Sequence, residues 1–393
     1  MTQLTSRERM LRALKRQQAD HIPCCFMSFT ALRRQCREDL YQLVLAERAM
    51  GLDSFLFLPT SPRPERLDHP DLRGLPVRFD PAVETREWRE DVPGDYPRLH
   101  REYTTPAGKL QTSVRLTEDW PHGAHLPFVD DYQVPRALKP LLTGAKELEA
   151  LQYLLTPPAP VDIVQFEREA QKARTFAAEQ GVLVAGGWGV GVDMASWLCG
   201  FQNLMLLTHD QPGLVIALLD MIHAWNRQRM AVVLQAPVDL FIKRAWYEGC
   251  DFVTPGFYRD VILPRLRSEV ELAHEHGALF GYICSSGIAP MLDYYVEAGI
   301  DVLIGIDPVQ GTHTDMELIK ERIGDPICLW GGVSGAVTVE LGTEDEVRAA
   351  VRRAIETLGP DGFILSPVDN ITVDAPRTWQ NIDTLIDEWQ RRR

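Results

Sequence analysis

Three stretches decide the fold: Leu279-Phe280-Gly281-Tyr282-Ile283-Cys284, then Asp301-Val302-Leu303-Ile304-Gly305-Ile306, then Ile327-Cys328-Leu329-Trp330-Gly331. Each is a short apolar run rich in strand-forming residues. A stretch of helical period separates each from the next, which is the pattern of parallel strands joined by crossover helices. Working outward, runs of the same kind occupy residues 362–366, 239–243 and 183–187, and two more lie upstream at 22–27 and 54–58. That makes eight, the number that closes a (β/α)8 TIM barrel, so the predicted class is α/β with one barrel domain over residues 1–393.

The intervening helices carry readable ends. Thr343-Glu344-Asp345-Glu346 is a capping box, followed by Val347, Ala350, Val351, Ala354 and Leu358 on one face and by Gly359-Pro360 at the stop. Thr5 with Glu8 and Thr314 with Glu317 repeat the box, and Asp210 with Pro212 marks another helix start. Residues 75–130 break the alternation. They are rich in Thr, Arg and Tyr around the turn Thr105-Pro106-Ala107-Gly108-Lys109, and they predict a β-hairpin insertion in the N-terminal third.

Composition narrows the partners. With 45% hydrophobic and 24% charged residues the 393-residue chain is globular, and 41 basic against 55 acidic side chains give a net charge of −14. That balance argues against nucleic acid or an anionic membrane and for small molecules or proteins. The first 18 residues are too charged for a leader, and the Gly-rich stretch 181–201 is broken by Asp193, so no membrane span is expected. Seven cysteines, an odd and sparse set, suggest a reducing compartment and a cytoplasmic protein.

In a parallel barrel the working residues stand at the C-terminal ends of the strands. That rule selects Asp307, Asp369 and Glu248 as catalytic acids or bases. It selects Trp188, Trp246, Tyr247, Tyr282, Asn370 and His313 as substrate contacts. Cys284 is the leading metal candidate, because a thiolate near carboxylates suits a borderline cation such as zinc. Cys328 with Glu248 or Asp251 would complete three protein ligands and leave an open position. The run Gly186-Gly187-Trp188-Gly189-Val190-Gly191 lacks the complete dinucleotide fingerprint, which argues against a nicotinamide site.

Taken in order, several of these segments resemble the uroporphyrinogen decarboxylase superfamily. They are the opening Ser6-Arg7-Glu8-Arg9-Met10-Leu11-Arg12-Ala13-Leu14 with Asp20-His21-Ile22-Pro23, then Ala298-Gly299-Ile300-Asp301, Ile323-Gly324-Asp325 leading into Gly331-Gly332-Val333, and Gly362-Phe363-Ile364-Leu365-Ser366-Pro367. The resemblance implies a barrel with its cleft at the strand C-termini. It implies either a decarboxylase or a methyltransferase that works with a corrinoid protein or a thiol through zinc, and it carries a homodimer as the family expectation.

The decarboxylase branch holds substrate carboxylates with an arginine-bearing stretch. Here Phe26-Met27 continues as Ser28-Phe29-Thr30-Ala31-Leu32, the expected Asp falls near Pro59-Thr60, and the His of the final strand falls near Val368. The 105–110 segment looks like the methyltransferase branch. That branch has a His-x-Cys pair and a later Cys, where this chain has Tyr282-Ile283-Cys284 and Asp369. The sequence therefore points to a methyltransferase acting on a small methylated aryl ether or amine. A decarboxylase of another acid and a non-catalytic corrinoid-binding barrel are the alternatives.

Overall fold

The computed structural model describes residues 3–58, 68–70, 72 and 75–393. Eleven strands occur among them: β1 (Phe55–Leu58), β2 (Glu84–Glu90), β3 (Arg98–Thr105), β4 (Gly108–Arg115), β5 (Ala137–Lys139), β6 (Leu183–Gly189), β7 (Leu240–Arg244), β8 (Leu279–Ile283), β9 (Val302–Ile306), β10 (Cys328–Ser334) and β11 (Phe363–Val368). Two compact units hold them. The first comprises Met1–Ser61, Glu167–Gly187 and Val233–Arg393, and the second Pro62–Phe166 and Trp188–Val232.

The first unit is built on a seven-stranded parallel sheet in the order β1-β6-β7-β8-β9-β10-β11. Its strands are buried almost throughout, which explains why they read as continuous apolar runs rather than alternating ones. Curled, the sheet is TIM-barrel-like, but the expected eight strands are seven among the described residues. Residues 22–27 make only one bridge, Cys24 to Leu365. Pro23 has no N–H to give to a ladder, and the chain soon turns into the helix Thr30–Gln35. The segment still satisfies backbone on both sides: Leu365 N–H donates to Pro23 O at 2.9 Å, Cys25 N–H to Leu365 O at 3.0 Å, and Asp53 N–H to Cys24 O at 2.8 Å. The indoles of Trp330 and Trp389 fix it further by donating to the carbonyls of Cys25 and Ile22.

Helix ends follow the local chemistry. Thr343 and Glu346 form the reciprocal capping box, as do Thr5 and Glu8. The third box is corrected: the helix Met316–Ile323 is capped by Asp315, whose carboxylate accepts Leu318 N–H at 2.9 Å, so Thr314 lies one residue too early. In β10 the register slips between Trp330 and Gly331. A Cβ on Gly331, at φ +147°, would lie 2.7 Å from the Ile306 nitrogen, so only glycine fits this bulge.

The second unit contains an antiparallel sheet, β2-β3-β4-β5. β3 and β4 pair around Pro106-Ala107, from Thr105↔Gly108 back to Arg98↔Arg115. The insertion is larger than the hairpin expected over 75–130, since β2 and β5 flank the pair and the sheet runs on to Lys139. β3 alternates half-buried and buried residues, and Leu99 packs with Val114, Trp120 and Leu126. No helix among the described residues is long and apolar enough to cross a membrane.

Candidate active site at the C-terminal ends of β7, β8 and β9

Lys243 and Tyr282 are register partners on β7 and β8, so their side chains share one face of the sheet. That face looks toward the helices. The Lys243 ammonium donates to Glu269 of the helix Leu263–Glu275 at 2.7 Å, and the Tyr282 ring packs on Tyr295 of the helix Leu292–Ala298 with centroids 5.4 Å apart. The Tyr282 hydroxyl donates to the Glu248 carboxylate at 2.5 Å and accepts from the Tyr258 hydroxyl at 3.2 Å. Glu248 and Tyr282 are 1% and 0% exposed, which places both in the packed layer rather than in an open cleft. Burial raises the pKa of Tyr258, Tyr282 and Tyr295 well above the usual phenol value, and the neighbouring Glu248 charge adds to it, so all three stay protonated and the Tyr258 and Tyr282 hydroxyls serve as donors.

Cys284 directly follows β8 and is fully buried, its thiol directed to the Ser286 carbonyl at 3.6 Å. Cys328 does not join it. Cys328 is level with Val302, and Val302 with Gly281, so Cys328 lies three residues down the sheet from Cys284 and two strands across. At about 3.3 Å per residue and roughly 4.8 Å per strand, that is far beyond shared ligation. Burial also holds the Cys328 thiol well above its ordinary pKa. Of the ligand set expected from sequence, Cys284, Glu248 and Cys328, Cys328 therefore cannot share a metal with Cys284.

The remaining nominated residues separate by environment. Asp307 is 3% exposed and holds its own turn, accepting Val309 N–H at 2.8 Å and Gln310 N–H at 3.0 Å. Asn370 ties two segments, accepting Thr30 N–H at 3.0 Å and donating to the Thr30 hydroxyl at 2.9 Å. Asp369 is exposed at the end of β11 with φ +68°. The Arg244 guanidinium lies 4.4 Å over the Trp246 ring, and Tyr247 meets Phe252 edge-on at 5.2 Å. Trp188 is buried and falls in the second compact unit. Pro59 and Thr60, where the decarboxylase Asp would stand, lie outside the described residues.

The structure assembles one group whose members the sequence does not place together. The loops after β7, β8 and β9 lock together through backbone bonds, Cys250 N–H to Gly287 O and Gly287 N–H to Thr312 O, both 2.9 Å. Glycine permits this closeness, because a Cβ on Gly249 would lie 1.9 Å from the Ser286 carbonyl oxygen. The Asp251 carboxylate accepts the hydroxyls of Ser286 and Thr312. Cys250, Asp251 and His313 bring their donor atoms within 4.8 Å of one another.

The stretch that would carry a decarboxylase clamp is apolar in the structure as in the sequence. Phe26 and Phe29 are buried with rings 5.0 Å apart. The first arginines beyond them are engaged elsewhere, Arg33 with Glu38 at 2.7 Å and Arg34 with the Thr372 carbonyl at 3.2 Å.

The family model described as uroporphyrinogen decarboxylase (URO-D) matches residues 110–391. The chain belongs to the uroporphyrinogen decarboxylase family. Among solved structures, this URO-D family member is similar to a methyltransferase from Methanosarcina mazei, with 18% identity, 99% of each chain covered and a TM-score of 0.58. It is also similar to a B12-independent methionine synthase from Shewanella, with 9% identity, 94% of this chain and 97% of that one covered, and a TM-score of 0.45. No curated protein matches it. The first likeness supports the fold over the whole chain.

Proposed function

We propose that this URO-D family member is a methyltransferase that moves a methyl group from a small methylated aryl ether or amine to a corrinoid, carried by a partner protein, or to a thiol. One observation carries the choice against decarboxylation of a polycarboxylate. Residues 26–32 present two buried phenylalanines and no cation, while Arg33 and Arg34 are bound to Glu38 and the Thr372 carbonyl. A substrate with several carboxylates needs fixed cations, and burying its charges without them is prohibitive. The whole-chain likeness to the Methanosarcina methyltransferase agrees with this reading.

The chain's own residues supply three functions in this proposal. Trp246, backed by Arg244, and Tyr247 provide aromatic surface at the end of β7 for a ring or a methylated nitrogen. Asp369 is the acid placed to handle the proton at the departing heteroatom, since among the three nominated acids Glu248 and Asp307 are buried while Asp369 is exposed at a strand end. Glu248 and Tyr282 hold the loop after β7 in place rather than touching substrate. The proposal extends to a cytoplasmic location, in keeping with seven free cysteines, and to a homodimer as the family expectation.

The test is incubation of the full chain with methyl-labelled methoxyaryl and methylamine substrates and either reduced cobalamin or a thiol acceptor. Label in the acceptor supports the reading. Carbon dioxide release from a carboxylated substrate with no labelled acceptor replaces it with decarboxylation.

A further inference from the structure

We propose that Cys250, Asp251 and His313 bind one divalent cation of the zinc type, at a position other than Cys284. The proposal stands whether or not the chain transfers methyl groups. The donor set mixes thiolate, carboxylate and imidazole, which suits a borderline cation, and three protein donors leave a fourth position for water or a substrate heteroatom. Bonds of about 2.0–2.3 Å in a tetrahedral site place ligand atoms roughly 3.3–3.8 Å apart. The three donors already lie within 4.8 Å, so a cation would draw them in by about 1 Å, within the reach of side-chain rotation.

The surroundings hold the group in place. Asp251 uses one oxygen, Oδ2, for both the Ser286 and the Thr312 hydroxyl, and these two hydroxyls lie 3.1 Å apart. Partners of this kind orient a ligating carboxylate. Oδ1 of Asp251 and the His313 imidazole make no hydrogen bond among the described residues, so both remain available as donors. The backbone is fixed from below: a Cβ on Gly287 would sit 2.6 Å from Cys250 N and 2.7 Å from Asp251 N, so the loop after β8 presses directly on the ligand-bearing loop after β7. His313 is held at φ +49°, a left-handed conformation uncommon outside glycine, with its carbonyl accepting Ala289 N–H at 3.1 Å. All three ligands follow the C-terminal ends of parallel strands, the end where barrel enzymes work.

The experiment strips the full chain of metal with a chelator and titrates it with zinc against a chromophoric competitor, then with cobalt(II) as a spectroscopic probe. The expected result is one equivalent bound, with a thiolate-to-cobalt charge-transfer band and intense visible bands of a four-coordinate ion. Cys250→Ser should abolish the charge-transfer band and weaken zinc binding by about 100-fold or more. Ser286→Ala should weaken it by roughly 10- to 100-fold. Cys284→Ser should keep both the stoichiometry and the band. Circular dichroism confirms that each variant is folded, and the half-exposed place of Cys250 makes that variant the mildest of the ligand changes. No binding of micromolar zinc by the wild-type chain, unchanged binding in Cys250→Ser and His313→Gln, or loss of the band in Cys284→Ser would each overturn the assignment. None of these readouts needs a methyl donor, so failure of the metal site is distinct from failure of the methyl-transfer reading.

Discussion

The hydroxyl of Tyr282 donates to the carboxylate of Glu248 at 2.5 Å in a layer where neither side chain meets solvent. The bond joins the end of β8 to the loop after β7, and removing the donor leaves a buried carboxylate short of a partner. Tyr282→Phe should therefore cost about 1–3 kcal/mol of stability, read as a lower urea midpoint with an unchanged slope. A substrate contact at Tyr282 would instead show an activity loss with stability intact.

The Lys243–Glu269 pair is 2.7 Å long with both side chains at most 3% exposed. Glu269→Ala removes the short ion pair and leaves the buried Lys243 ammonium with the longer contact to Glu248 at 3.9 Å, so it should cost up to about 3–5 kcal/mol. The double replacement Lys243→Met with Glu269→Leu removes both charges of the pair and should recover part of that loss, the remainder being the contact of Lys243 with Glu248. Chemical denaturation of the three proteins checks both statements.

Glu47, in the helix Leu40–Ala49, is buried beside the Ser54 hydroxyl that it accepts, and burial pushes its pKa up to about 8. Between the ordinary carboxylate pKa near 4.5 and 8, the unfolded chain has lost this proton while the folded chain keeps it. The folded state then binds more protons, so this group's contribution is present below the unfolded pKa and is lost as pH rises toward 8. Glu47→Gln keeps an acceptor for Ser54 and removes the titration. Its stability relative to wild type should rise between pH 5 and pH 8.5 by an amount on the order of a few kcal/mol. Denaturation curves at pH 5, 7 and 8.5 test the sign, and a constant difference contradicts it.

Gly249 sits where a Cβ would lie 1.9 Å from the Ser286 carbonyl oxygen. Since backbone cannot yield as a flexible side chain does, Gly249→Ala should destabilise by roughly 2 kcal/mol or more and part the loops after β7 and β8. Hydrogen exchange at the Cys250 amide, which donates to Gly287 O, should accelerate in this variant.

Strands buried on both faces were legible because their apolar runs are unbroken, but the same property hides which way each side chain points. Tyr282 reads equally well as a lumen or a helix-facing residue until its register partner Lys243 is seen to reach Glu269. β2, Glu-Thr-Arg-Glu-Trp-Arg-Glu, carries almost no apolar signal and exists through its pairing with β3. Residues 22–27 look like a strand by composition, yet Pro23 withholds a donor and one bridge is all they form. The grouping of Cys250 and Asp251 with His313 depends on three loops meeting over Gly249 and Gly287. A linear sequence shows the glycines but not what they touch.

Transfer of an isotopically labelled methyl group is the most direct test of the central reading. The full chain is supplied with a carbon-13 methyl-labelled methoxyaryl or methylamine donor and cob(I)alamin, and the acceptor is followed by its absorbance and by mass. Growth of labelled methylcobalamin at a rate set by enzyme concentration, and reduced in Asp369→Asn, is the predicted result. No labelled acceptor, with a thiol equally unmethylated and carbon dioxide released from a carboxylated tetrapyrrole, would contradict it.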